Sequence, residues 1–288
     1  MRILTALALL LLPLAACGTE QGAEPPAAEP VGEELLTTSY PVTVIDDGDG
    51  AELCLGAVGF SLPPQCDGPR LVGWDWADHA GRFEEAGGTR WGEFVVTGTY
   101  DGETMTPTEV VAAAVAEERP EIDVSALSAS PCPEPAGGWP VHPDADQQTV
   151  SRAFAAARRL EGYADAWQDR SRDPRTPEQV DQQHATGAED VSLWTVNVRV
   201  TGDPAAAEAR LREVWQGALC VTRAEHTERE LRRIQRRLGE SPGLLSIGVG
   251  GQQVQLGVIH DDGSLQQRLD EQYGDGLVDV WSALQPVD

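Results

Sequence analysis

Apolar and polar residues alternate with the period of a β-strand in several short segments of the first third of the chain. The clearest is Trp91–Tyr100, in which Phe94 and Val96 alternate with more polar neighbours before a turn at Asp101-Gly102. Short strands separated by glycine turns are typical of a small barrel or sandwich, so residues 41–118 are predicted to form either an OB-like β-barrel or a β-sandwich. The remaining predictions here are strands at Pro41–Ile45, Leu53–Val58 and Arg70–Trp76, and a short helix at Thr108–Glu118.

Helical spacing alternates with strand patterns in the second half of the chain. A helix at Asp146–Leu160 places Val150, Phe154 and Ala157 on one face, and Asp203-Pro204 is typical of a helix start. The order of elements predicts a ferredoxin-like α+β sandwich over residues 146–288, and no repeat of fixed period is apparent. Strands are predicted at Tyr163–Asp169 (or a helix continuing to Trp167), Leu193–Thr201, Leu219–Thr222, Leu244–Val249, Val254–His260 and Leu277–Leu284, and helices after Pro204, at Thr227–Leu238 and at Ser264–Gln272. The predicted fold class of the whole chain is therefore α+β.

The first residues predict export. Arg2 precedes an apolar run of about ten residues, half of what a membrane-spanning helix needs. The run ends in Leu14-Ala15-Ala16-Cys17, which resembles the lipobox of bacterial lipoproteins. That resemblance implies a signal peptide at residues 1–16 and acylation of Cys17 (diacylglycerol, palmitate). The alternative is an ordinary signal peptide with an incidental cysteine.

Two further segments are predicted from composition to lie outside the folded parts. Residues 17–40 combine Gly, Glu, Ala and Pro with few large apolar groups, which predicts an acidic tether behind the lipid. Residues 119–145 contain a proline-rich stretch and are predicted to be a linker between the β domain and the α+β domain.

The charge of the chain excludes one class of partner. Its 288 residues carry a formal net charge of −26, and all 21 basic residues are arginine. Because phosphate contacts require a basic surface, a nucleic-acid partner is not expected. The absence of lysine also excludes Schiff-base chemistry and the lysine of a phosphate-binding loop. An acidic body is repelled by anionic headgroups, so only the lipid is expected to touch the membrane.

Four cysteines remain once Cys17 is assigned to lipid, and an even number in an exported protein favours disulfides. Three pairings are possible. Cys54 with Cys66 is favoured because the short loop with Pro63-Pro64 can fold back, which leaves Cys132 with Cys220. A zinc site is the alternative, but no C-x2-C pair is present, and no metal site or cofactor is predicted.

The segment Trp74-Asp75-Trp76-Ala77-Asp78-His79 is the most unusual local sequence. Trp74 and Trp76 could stack on sugar rings, and Asp75 with Asp78 could act as the paired carboxylates of a glycosidase. Core packing of the tryptophans is the competing interpretation. The acidic cluster Asp46–Asp49 is interpreted as a solvated turn because it lacks the EF-hand spacing.

One predicted helix, at residues 227–238, is rich in arginine. Leu231, Ile234 and Leu238 give it an apolar stripe, and its five arginines could bind an anionic partner such as a cell-wall polymer or lipid headgroup. A solvated face bonded to neighbouring acids is the alternative. The arginines are Arg229, Arg232, Arg233, Arg236 and Arg237.

Several motifs together resemble a group of uncharacterised secreted proteins and lipoproteins of high-GC Gram-positive (actinobacterial) bacteria. They are Leu53-Cys54-Leu55-Gly56, Pro63-Pro64-Gln65-Cys66, Gly73-Trp74-Asp75-Trp76 and Val96–Gly102. The resemblance covers mainly residues 41–110 and implies export and disulfides, but that group supplies no established activity. The C-terminal pattern is distantly similar to the α+β propeptides of secreted bacterial proteases, which concerns the fold alone.

These observations predict a lipoprotein on the outer face of the cytoplasmic membrane that acts as a binding or interaction module rather than an enzyme. Its expected partners are the membrane, through the lipid anchor, and a cell-envelope protein or glycan. The alternative is a cell-wall or glycan-processing hydrolase that uses carboxylates near Trp74–His79. A third possibility is a protease-inhibitor or chaperone-like role for the C-terminal sandwich.

Overall fold

Strands predominate in the first part of the described chain and α-helices join them in the second, which gives a mixed α+β fold with several sheets. A computed structural model describes residues 34–115, 128–172, 179, 190–241 and 243–287, and residues 34–288 belong to one compact unit. The predicted signal peptide, Cys17 and most of the predicted tether lie outside the described residues. The elements are β1 (Leu35–Thr37), β2 (Val42–Asp46), β3 (Glu52–Leu53), β4 (Arg70–Leu71), β5 (Glu84–Ala86), β6 (Thr89–Tyr100), β7 (Thr104–Ala112), α1 (Gln147–Ala157), β8 (Tyr163–Asp169), β9 (Thr195–Val200), α2 (Pro204–Leu211), β10 (Ala218–Arg223), α3 (Glu228–Leu238), β11 (Leu244–Gly250), β12 (Gln253–Val258), α4 (Ser264–Tyr273), β13 (Val278–Ser282) and β14 (Gln285–Pro286), with short 3₁₀ helices at Trp76–His79 and Ala113–Val115.

The long strand β6 organises the largest sheet. It pairs antiparallel with β2 and with β7. β2 pairs antiparallel with β3, β3 pairs antiparallel with β4, and β4 pairs in parallel with β7. The hydrogen-bonded neighbours β6, β2, β3, β4 and β7 therefore form a continuous circuit. Phe94 and Val96 of β6 are fully buried inside it, as the alternation predicts, together with Val44, Leu53 and Met105.

Three local predictions in this region are wrong. Within the described residues, which end here at Val115, the helix predicted at Thr108–Glu118 is instead the end of strand β7 followed by a 3₁₀ turn, because Val110 and Val111 pair with β6. The strands predicted at Leu53–Val58 and Arg70–Trp76 stop after two residues at Leu53 and Leu71. Residues beyond Leu53 enter the disulfide loop, and the segment after Leu71 turns into the 3₁₀ helix at Trp76–His79.

The second half of the chain differs from a single ferredoxin-like sheet. Its strands form two three-stranded sheets, with the orders β10-β9-β8 and β11-β12-β13. Each sheet has an antiparallel first pair and a parallel second pair joined by a helix. The order helix, strand, strand, helix, strand thus occurs twice, first from α1 to β10 and then from α3 to β13. The strand predicted at Tyr163–Asp169 is confirmed as β8.

Local capping signals fix the helix starts. Asp203 accepts a hydrogen bond from the Ala205 amide before α2, and Pro204 is its first residue. Thr227 and Glu230 form a reciprocal capping box at the start of α3. No helix within the described residues is both long and apolar enough to cross a membrane.

Each of the two C-terminal sheets packs its helices on one face. Val196, Val198 and Val200 of β9 meet α1 and α2, with Trp194 and Trp215 filling that core. Val254, Leu256 and Val258 of β12 meet α3 and α4 in a second core. The chain then returns to the first sheet, since β14 pairs with β1 and Leu284 is fully buried in the core of that sheet.

Both disulfides form as predicted. Cys54 bonds Cys66 across a short loop, and Cys132 bonds Cys220 across a sequence separation of 88 residues. Leu35–Thr37, at the end of the predicted tether, is part of the first sheet, because β1 pairs with both β6 and β14.

Candidate functional site

The tryptophans of the Trp74–His79 segment belong to a packed aromatic cluster. Trp76 is 5% exposed and donates its indole N–H to Asp46 Oδ2 at 2.9 Å. Trp74 stacks on His79 with ring centroids 4.2 Å apart and meets Phe94 edge-on. These contacts use the ring faces for packing, so they favour the core interpretation of this segment over a sugar platform.

The two aspartates of this segment have different surroundings. Asp75 caps the 3₁₀ helix by accepting a hydrogen bond from the Ala77 amide at 2.9 Å. Asp78 is exposed one turn later. Burial lowers the pKa of His79, although the negative charges of Asp78 and Asp75 oppose the shift. The stacking of the His79 imidazole on the Trp74 indole is a packing contact of the aromatic cluster.

The acidic turn at Asp46–Asp49 is built on Asp46. Its Oδ1 accepts hydrogen bonds from the Gly48 and Gly50 amides, while Oδ2 binds the Trp76 indole. Burial alone would raise the pKa of Asp46, but these bonds outweigh it and hold the pKa below its usual value. Among the described residues, no cluster of three or more His, Cys, Asp or Glu side chains could hold a metal ion.

A cleft of about 530 Å³ lies where the start and the end of the described chain meet. Its walls come from the β1–β2 connection, the segment after Cys54 and the β13–β14 connection. This volume is within the usual range for a small-molecule site. The lining residues are Thr38, Ser39, Tyr40, Pro41, Val42, Thr43, Cys54, Leu55, Gly56, Val58, Glu93, Trp281, Ser282, Ala283 and Gln285.

We call this site the Trp281 cleft, because Trp281 is the most exposed aromatic residue that lines it. The ring is 44% exposed and lies on β13, the edge strand of the β11-β12-β13 sheet. It rests against Gly257 of the neighbouring strand, where a Cβ atom would lie 2.4 Å from Trp281 Cζ2. Only glycine leaves room for the ring at this position, so the strand pairing holds the indole flat at the edge of the cleft.

The backbone on the opposite side of the cleft is held in a conformation that few residues adopt. Ser39 has a φ of 59°, in the left-handed region, and Tyr40 donates its amide to Thr38 O. The Thr38 hydroxyl bridges Tyr40 O and the Val96 amide, which ties this turn to β6. Strained turns held by their surroundings are common at binding sites.

Seven of the fifteen lining residues of the cleft carry polar side chains, and hydrogen bonds orient some of these groups. Gln285 donates its amide to Ser282 O at 2.6 Å, and Ser282 Oγ accepts the Asp261 amide. Glu93 is exposed and is the one carboxylate among the lining residues. Apolar walls with a small number of oriented polar groups are typical of ligand sites.

The sequence contains a signal for this site, although none of the motifs named above includes it. Along β13, Val278 is buried and Val280 packs with it against the helices, so Asp279 and Trp281 fall on the other face of the strand. A tryptophan on the face of a strand that points away from the core is a candidate contact residue. Only the structure brings Trp281 to Tyr40 and Glu93, which lie far away in the chain.

Comparison with known proteins adds no further assignment. No protein-family model matches the chain, and no curated protein matches it either.

Proposed function

We propose that this protein is a lipid-anchored extracytoplasmic binding module that holds a glycan of the cell envelope in the Trp281 cleft. The half-exposed Trp281 ring beside a mixed apolar and hydroxyl-bearing wall is the observation that carries this proposal. An indole face stacks on the apolar face of a sugar ring, and Glu93 with Gln285 can bind its hydroxyl groups.

The cleft favours binding over hydrolysis. Glycoside hydrolysis requires two carboxyl groups on opposite sides of the scissile bond, whereas Glu93 is the single carboxylate among the described lining residues. The alternative pair, Asp75 and Asp78, lies beside packed aromatic rings, and Asp75 is occupied as a helix cap. We therefore propose no catalytic activity.

The finer architecture that fits this proposal is a small OB-like barrel. The circuit of β6, β2, β3, β4 and β7 around one core supports it. OB-like barrels bind oligosaccharides on an exposed face. Here β14 joins the first sheet through β1, and β13, which belongs to the separate β11-β12-β13 sheet, contributes Trp281 to the cleft.

Binding to glycans tests the cleft directly. We expect oligomers of N-acetylglucosamine to bind the full chain carrying Cys17→Ala, and Trp281→Ala to weaken that binding at least about tenfold, as loss of a central aromatic contact does. Isothermal titration calorimetry measures both. Phe60→Ala is the matched control, because Phe60 is a fully exposed aromatic residue outside the cleft. Equal binding by Trp281→Ala, or no binding by the parent chain, would contradict the proposal.

The anchor has a separate test. We expect the unaltered chain to remain in the membrane fraction of the cells that produce it after a wash with about 1 M salt, which screens electrostatic contacts. Cys17→Ala should release it from the membrane or block removal of residues 1–16, because no acyl chain can be attached. Mass mapping of the two disulfides in the released protein controls for folding. Unchanged membrane retention of Cys17→Ala after removal of residues 1–16 would refute the anchor.

A further inference from the structure

The exposed face of helix α3 carries five arginines, which we call the arginine stripe: Arg229, Arg232, Arg233, Arg236 and Arg237. All five are exposed, and they occupy one side of the helix. The opposite side carries Leu231, which is 1% exposed, with Ile234 and Leu238 packed around it. The stripe therefore faces solvent on a helix whose other side is fixed in a core.

Few of these charges are neutralised. Arg232 pairs with Glu228 at 2.7 Å. Hydrogen bonds from Thr227 lower the pKa of Glu230, and the nearby positive charge of Arg233 contributes less. Within the described part of the chain, Arg229, Arg233, Arg236 and Arg237 form no ion pair. The chain has 47 acidic residues, so a helix that carries these four arginines without an ion pair differs in charge from the rest of the protein.

The helix is also held rigidly in place. Its start is closed by the Thr227–Glu230 capping box, and Gln235 donates to Ile247 O on the neighbouring strand. From Arg229 to Arg237 the stripe runs for about 12 Å along a straight axis. Like charges four residues apart repel one another, so the sequence keeps this arrangement against a local cost.

We propose that the arginine stripe docks on the anionic headgroups of the membrane surface. The exposed face has no apolar residue, whereas a helix that docks in a protein groove needs apolar anchors. Guanidinium groups bind phosphate in bidentate pairs, and a plane of phosphates can satisfy several of them at once. This chemistry fits a flat anionic surface better than a protein groove.

Net charge does not prevent this contact. At physiological ionic strength a charge is felt over about 8 Å, so the membrane senses the face that lies against it rather than the whole acidic body. The prediction that only the lipid touches the membrane depends on the total charge of the protein and does not include the distribution of that charge. If Cys17 carries the proposed lipid, the 17 residues to Glu34 can span at most about 60 Å, which keeps the helix within reach of the bilayer.

Vesicle binding by the unlipidated protein tests the stripe independently of the anchor and of the cleft. The mature chain from residue 17 with Cys17→Ala, which lacks the apolar run of the signal peptide, should sediment with vesicles that contain about 30% phosphatidylglycerol, but not with pure phosphatidylcholine vesicles. Added salt should release it. Arg229→Gln, Arg233→Gln and Arg236→Gln together should lower the partition coefficient at least about tenfold.

The matched control changes the same number of charges elsewhere. Arg82→Gln, Arg210→Gln and Arg268→Gln remove three exposed arginines outside α3 and should leave vesicle binding within about twofold of the parent. Equal loss in both triple variants, unchanged binding by the stripe variant, or binding to neutral vesicles would overturn the proposal. Preferential binding to soluble inorganic polyphosphate over the vesicles would also overturn it, because the partner would then be a polymer.

Discussion

Replacing Cys132 and Cys220 together by alanine should lower the free energy of unfolding by about 4–5 kcal/mol. The bond closes a loop with a sequence separation of 88 residues, and the chain entropy that a disulfide removes from the unfolded state grows with loop length. The Cys54–Cys66 bond spans only 12 residues, so its removal should cost about 3 kcal/mol. Denaturant unfolding of both double variants under non-reducing conditions measures the difference.

Native contacts add to the effect of the longer bond. The segment before Cys132 lies over the β8–β10 sheet, where Ser130 donates its amide to Asp169 and the Trp167 indole donates to Ser128 O. Thr195 and Asn197 are fully buried on the sheet beneath it. Without the bond this cover can leave, which exposes a face that is otherwise buried. A smaller loss for the Cys132–Cys220 variant than for the Cys54–Cys66 variant would contradict this account.

Trp215→Ala should lower the free energy of unfolding by about 3–5 kcal/mol, the range for removing a buried aromatic side chain. Trp215 is 0% exposed, and its indole donates to Ala218 O at 2.8 Å. Its ring fills the space above Gly217, where a Cβ atom would lie 2.6 Å away. The cavity would open in the core between α2 and the β8–β10 sheet. Thermal and denaturant unfolding measure the loss.

Two other substitutions show whether the loss comes from the buried position of Trp215 or from the removal of any tryptophan. Trp215→Phe keeps most of the ring and removes the hydrogen bond, so we expect a loss between those of the parent and Trp215→Ala. Trp281→Ala removes a residue of the same type that is 44% exposed and should cost less than about 1.5 kcal/mol. If Trp215→Ala cost no more than Trp281→Ala, the assignment of Trp215 to the core would be wrong.

Local signals in the sequence predicted most elements of the second half. The Asp203-Pro204 start of α2 and the Thr227 start of α3 depend on hydrogen bonds within one helical turn, so they can be recognised without the fold. The failure at Thr108–Glu118 has the opposite origin. That segment becomes a strand because β6 lies beside it, and partners 12 to 18 residues away cannot be deduced from the segment alone.

The repeated order of helices and strands is invisible as a sequence period for a related reason. In the first copy, 25 residues separate Asp169 of β8 from Thr195 of β9, whereas two residues join β11 to β12. An insertion of this size destroys a fixed spacing but leaves strand direction and order intact. Topology therefore retains a similarity that the spacing of residues has lost.

The sequence by itself determined the net charge, the cysteine pairing that loop length favours, the helix starts and the alternating strands, because each depends on composition or on neighbours along the chain. Only the tertiary structure decided which aromatic rings are covered. It buries Trp76 against Asp46 and leaves Trp281 exposed beside Tyr40 and Glu93. It also fixes the arginine stripe toward solvent with few acidic partners. Burial and pairing depend on contacts between distant segments, and the packing of the whole chain selects those contacts.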